Sequence, residues 1–145
     1  KPDLDILNKF KTNEKIIREK IDDQNLNNLR SEIDKQNINF YIEYIVNRLF
    51  EANKYFNDQE PWKKKADIVR LNTIVYTTLE IVRKVTFLLY PIIPQSSLKA
   101  LKIFNLKEKD IILESIGNNE FLKKGSVINK IDILFNKIEK EKEND

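Results

Sequence analysis

The sequence predicts an all-α fold, an antiparallel helix bundle with an irregular C-terminal arm. Three observations carry that prediction. Apolar residues recur at steps of three and four over two long stretches, and prolines stand where those stretches end. The chain has 2 glycines and no Asn-Gly or Asp-Gly pair, so the usual β-hairpin turns have no material.

Leu4, Leu7 and Phe10 make a first short apolar stripe. Ile17, Ile21, Leu26, Leu29 and Ile33 make a second, with a break near Asp22–Asn25. The first long stripe is Ile38, Ile42, Ile45, Leu49, Ala52 and Phe56, with Asn37 or Asn39 as its cap. The next is Ile68, Leu71, Val75, Leu79, Val82, Val85 (with Thr86) and Leu89, which ends at "YPIIP" because Pro91 and Pro94 cannot continue a helix. Pro61 falls between the two, so they form a hairpin whose turn is "NDQEPW". "QSSLKALKIFNL" reads as a short helix capped near Gln95 or Ser96. We therefore divide the chain into a bundle over 1–106 and an arm with one or two helical turns over 107–145, its charged tail frayed from Glu139.

At 145 residues and 17.3 kDa the chain suits one domain with a core. An excess of Lys, Ile and Asn (21, 21 and 17) reads as the coding bias of an AT-rich genome. The absence of Met, even at position 1, raises the expectation of a longer parent protein. With neither Cys nor His, the chain excludes a zinc finger, a disulfide, a His-ligated metal and a Ser-His or Cys-His nucleophile. The two isolated glycines exclude a phosphate-binding loop, and the carboxylates sit beside lysines as on a solvated face. No catalytic residue, metal site or cofactor is expected. A net charge of +3 permits an RNA partner without demanding one. No apolar run reaches membrane-span length and the N-terminus lacks signal-peptide order, so a cytoplasmic protein without a membrane partner is expected.

The densest stretch is "EANKYFNDQEPWKKK", residues 51–65. Trp62 is either a packed residue at a helix junction or a flat plate held out to stack on an unpaired base. Asn53 and Asn57 either close the helix or, for Asn53, meet the turn backbone or a base edge; Tyr55 packs. Lys63, Lys64 and Lys65 are either solvated or placed for phosphates, which position RNA without specifying its sequence.

The pattern Ala52-Asn53-x-Tyr55-Phe56-Asn57-Asp58-x-x-Pro61-Trp62, followed by a helix and a Pro-apolar-apolar-Pro stop, resembles the anticodon-binding domain of methionyl-tRNA synthetases. "FLKKGSVINKIDILFNKIE" is similar to that family's C-terminal arm: Leu134, Phe135, Ile138 and Glu139 match, while Asn136 and Lys137 replace a proline and an arginine. The resemblance covers roughly residues 26–139. It implies recognition of the CAU anticodon of methionine tRNA, with Trp62 stacked on the first base beside Pro61. Asn53, Asp58 and Lys63, Lys64 and Lys65 join that RNA-binding surface. Asn57 stands where the family often has an acid, and Asp58 keeps the neighbouring one.

Leu134 and Phe135 either cover the bundle or dock on the enzyme's own catalytic domain. The resemblance further implies a monomer, and ATP with Mg as a requirement of the full enzyme only. The family's catalytic motifs contain His and Met, which this chain lacks, and its base-reading Asn-x-x-x-Arg pair is expected upstream of residue 1. Two other readings stay open: a helical protein-interaction module, and the anticodon domain of another class I synthetase (Val, Ile, Leu or Cys).

Overall fold

The computed structural model describes residues 1–9 and 37–136. The stripes at Phe10 and at 17–33, with their break, lie outside the described residues, as do Lys137, Ile138, Glu139 and the tail. Among the described residues every regular element is helical. Helix α1 runs Asn37–Gln59, and its stripe buries Ile45 and Ala52 at the centre while Ile38 and Leu49 stay exposed. It continues three residues beyond Phe56, taking in half of the expected turn. The Lys54–Asp58 ion pair, one helical turn apart at 2.5 Å, supports that last turn.

What stops α1 is a single residue. Glu60 sits in the left-handed region at φ 46°, ψ 58°, and Pro61–Lys63 then forms one 3₁₀ turn. A non-glycine residue held there costs about 1–2 kcal/mol. Local offsets are a buried Pro61, a Lys63 Nζ to Glu60 Oε1 contact at 2.7 Å and the Lys63 N–H donating to the Glu60 carbonyl at 2.9 Å. Helix α2, Ile68–Leu89, starts at Asp67, whose carboxylate accepts from the Arg70 N–H at 2.9 Å. The two helices are antiparallel: Gln59 bonds Arg70 at one end, and at the other the Tyr41 hydroxyl donates to the Leu88 carbonyl at 2.6 Å.

Helix α3, Pro94–Leu101, begins with its proline in the first turn, where a missing N–H costs nothing. Its cap position is Ile93, with no side-chain bond, so the expected Gln95 or Ser96 cap gives way to the proline itself. A 3₁₀ turn, Lys102–Phe104, follows and ends at Asn105 in the left-handed region. The arm then makes a turn at Glu108–Asp110 and a four-residue helix, α4, Leu113–Ile116. Ile116 joins Leu7, Ile45, Ala52, Ile81, Val85, Leu88 and Leu101 in one core, so arm and helices share a single interior.

The buried side of α2 coincides with the expected stripe only in part: Val85 is buried and Leu71, Leu79, Val82 and Leu89 are half-buried, but the centre of the buried face lies beside it. Ile68 is 63% and Val75 37% exposed, whereas Ile74, Thr77, Ile81, Val85 and Leu88 are buried. The pattern misled because α2 is apolar on several sides and is covered on two. On the second side Glu80, Arg83 and Lys84 are all 0% exposed. Arg83 donates to Glu80 Oε2 at 2.9 and 2.7 Å, and to the carbonyls of Ser115 (3.1 Å) and Asn118 (2.8 Å). The other Glu80 oxygen accepts the Leu122 N–H at 2.5 Å, and Tyr76 donates to the Leu122 carbonyl at 2.7 Å. The guanidinium lies 4.6 Å from the Phe121 ring centre and 5.2 Å from that of Phe87. Lys84 donates to Asn119 at 2.6 Å, and Asn119 in turn to Asn8 at 3.0 Å, tying the arm to the helical residues 4–9.

Removing one member of a fully buried ion pair strands the other charge, so Arg83→Leu should lower the unfolding free energy by about 3–5 kcal/mol, read from urea denaturation. The same variant should open the arm to proteolysis near Lys123 and Lys124. Burial also raises the Tyr41 hydroxyl to about 12. Its contribution is whole below the ordinary tyrosine pKa of 10.0 and is lost as pH rises from there toward about 12, because the unfolded chain ionises first. Tyr41→Phe should therefore flatten the fall of stability between roughly pH 10 and pH 12 in alkaline unfolding curves.

Candidate nucleic-acid interface

The helix hairpin ends in a tip built from Glu60, Pro61, Trp62 and the lysines. Pro61 is buried and Trp62 beside it is 51% exposed, so the proline anchors the turn and the indole projects from it. Under the indole lies Phe56 of α1, with ring centres 6.3 Å apart and planes tilted by 59°. Trp62 is thus neither a core residue nor a loose one: one part of it rests on an aromatic neighbour and the remainder faces solvent.

The turn also orders its lysines. Lys63 pairs with Glu60, Lys64 is half-buried, and Lys65 is exposed. Neither Lys64 nor Lys65 makes an ion pair among the described residues. Asn53 is exposed on α1 and makes no hydrogen bond to the turn, whose backbone groups are met by Glu60 and Pro61 carbonyls instead. Asn57 is exposed and helical, and its carbonyl accepts from the Glu60 N–H at 3.1 Å. Asp58 is engaged by Lys54. Pro61, Trp62 and the three lysines therefore occupy one short turn, with Asn53 and Asp58 on the last turns of the helix leading into it. On the arm, Phe135 is 66% exposed and Leu134 half-buried.

Behind the tip is a polar cluster that pattern reading did not find. Arg70 donates from Nη2 to Gln59 Oε1 at 2.6 Å and from Nη1 to Asp3 Oδ1 at 3.0 Å, with Nη2 also 3.0 Å from Asp3 Oδ2. Tyr55 donates its hydroxyl to the same Asp3 carboxylate, and the Asp3 N–H donates to Thr77 Oγ1 at 2.9 Å. Burial alone would raise the Asp3 pKa, but bonds from Arg70 and Tyr55 and the charge of Arg70 outweigh it and hold it below the usual carboxylate value. Burial, then the bond to Asp3, pushes the Tyr55 hydroxyl up to about 12. Stability from the Asp3 group is present above the ordinary carboxylate pKa and is lost as pH falls through the depressed one. The available signal was positional: Asp67 as a cap with Arg70 three residues later fixes where the guanidinium starts, although not what it reaches.

Among the described residues no helix is long and apolar enough to cross a membrane, and no group of three acidic, His or Cys side chains is placed to hold a metal.

The model of the anticodon-binding domain of methionyl tRNA ligase matches residues 8–145. Among curated proteins, the methionine–tRNA ligase of Mycobacterium leprae is 39% identical over 88 residues, covering 57% of this chain and 16% of the relative. That of Rickettsia typhi is 34% identical over 107 residues (73% and 21%), and that of Brucella suis biovar 1 is 39% identical over 82 (56% and 16%). The chain thus spans about a fifth or less of the length of these relatives, and what it matches is the anticodon-binding part rather than the catalytic one. A tryptophan-bearing hairpin tip, a Pro-x-x-P stop and an arm drawn back over the bundle are accounted for together: the chain belongs to the family of methionyl tRNA ligase anticodon-binding domains.

Proposed function

We propose that the chain binds the anticodon loop of methionine tRNA and distinguishes its CAU anticodon, with Trp62 stacked on the first base. The observation that carries this reading is the half-exposed indole fixed between buried Pro61 and Phe56. RNA loops are read through splayed bases, and an aromatic plate offered at fixed orientation loses little entropy on stacking. Lys64 and Lys65, with no ion pair at the tip, are the groups for anticodon-stem phosphates; Lys63 must first leave Glu60. Asn53, exposed about two helical turns before the tip, is left for a base edge, and Asp58, paired with Lys54, stands between it and the tip.

Aminoacylation with ATP, Mg and methionine is in this reading the work of a catalytic domain in the same cytoplasmic, monomeric enzyme. In this reading ATP belongs to that domain: the sequence of this chain has no glycine-rich loop, and among the described residues no three acidic side chains are placed to hold a metal. The exposed Phe135 with Leu134 suits docking of the arm on that domain.

The test is a binding titration with an anticodon stem-loop carrying CAU against one with a changed first base. The CAU loop should bind more tightly. Trp62→Ala should weaken it by about 1–3 kcal/mol, roughly 5- to 150-fold. Equal binding of both loops, or an unaltered Trp62→Ala, would sink the reading. Replacing Lys64 and Lys65 by Ala should weaken both loops alike and lower the salt dependence of binding by about 1–2 counterions.

A further inference from the structure

The tip has a mechanical problem. It must hold an indole at fixed orientation on a turn that contains a left-handed Glu60 and spans only eight residues between two long helices. The Phe56 ring sits beneath the indole but is itself only half-buried. The Glu60–Lys63 pair is exposed and so weakly restraining. Neither of those contacts spans from α1 to α2.

One side chain does. Arg70 lies in the first turn of α2, its own N–H held by the Asp67 cap, and its Nη2 reaches Gln59, the last residue of α1, at 2.6 Å. Gln59 immediately precedes the left-handed residue, so this bond closes the turn across its base. The guanidinium is held in plane by the forked contact to Asp3, and Asp3 is fixed by Tyr55 and Thr77. Arginine near an RNA-binding turn is ordinarily read as a phosphate contact. Here both terminal guanidinium nitrogens already hold partners within the protein.

We infer that Arg70 is a positioning residue for RNA recognition: through Gln59 and Asp3 it locks the base of the α1–α2 turn and so sets the orientation of Trp62. The inference rests on the reading of Trp62 as the stacking residue. An ammonium cannot reproduce the fork, which separates this role from one played by charge alone.

Trp62 is the sole tryptophan, so its fluorescence anisotropy reports the turn directly. Arg70→Ala, Arg70→Lys and Gln59→Ala should each lower Trp62 anisotropy. Each should also raise the dissociation constant for the CAU stem-loop about 3- to 10-fold, the cost of ordering the turn on binding. Gln59→Ala keeps the Asp3 contact, and should fold even if Arg70→Ala does not, which circular dichroism will show. Wild-type anisotropy and affinity in Gln59→Ala would overturn the inference. So would full rescue by Arg70→Lys, since Arg70 would then act through charge on the RNA. If the unsubstituted chain shows no preference for the CAU loop, the functional reading fails, while the anisotropy still decides whether Arg70 holds the turn.

Discussion

The arrangement depends on an ion pair with no access to water. Glu80 and Arg83 lie one turn apart on α2, both fully buried, and neither is tolerable there without the other. Desolvation pulls the Arg83 pKa down and the Glu80 charge resists it. The pair leaves donors and an acceptor oxygen over, and it is the arm that meets them, through Ser115, Asn118 and Leu122. A hydrophobic contact would have buried area without direction. This one specifies where the arm must pass.

A long α2 then serves two ends of the molecule differently. Its C-terminal half is a buried polar hub, with Lys84 extending the network through Asn119 to Asn8. Its N-terminal turn is a hinge post for the tip, where Asp67 caps the helix and Arg70 crosses to α1. Ile68 and Val69, 63% and 77% exposed, show that this first turn packs little and leans on polar contacts instead. The tip sits at the lightly packed end, and the buried hub lies away from it. That separation lets the tip carry a strained Glu60 without loading the core.

The helices, their order and the hairpin were legible because they follow from apolar spacing and proline placement, which are local. Trp62 was legible as a candidate for the same reason: its neighbours Pro61 and Lys63–Lys65 are adjacent in sequence. The interior of α2 was not. With Ile, Val, Leu, Thr and Tyr on every side of that helix, periodicity admits several faces, and the charged residues looked like solvated ones. Only the return of the arm, some 35 residues later, makes Arg83 internal. Asp3, Gln59 and Arg70 were hidden by the same rule: the Asp3–Arg70 bond joins positions 67 apart, and no pattern within a helix encodes it.

The attachment of the arm has one further property. Along residues 115–122 the hydrogen-bonding groups that meet Arg83, Glu80 and Tyr76 are main-chain carbonyls and one main-chain N–H, with the Phe121 ring the side chain that Arg83 touches there. A main chain is the same at every residue except proline, so the hub on α2 steers the path of that segment while reading few of its side chains. A substitution at Leu122 can alter what the arm presents while leaving both of its main-chain bonds in place, whereas the Asn118 amide also shapes the path by accepting from the Glu120 N–H at 2.8 Å. The helix thus acts as a rail for this segment, gripping it mainly by its backbone and leaving much of its outward chemistry out of the contact.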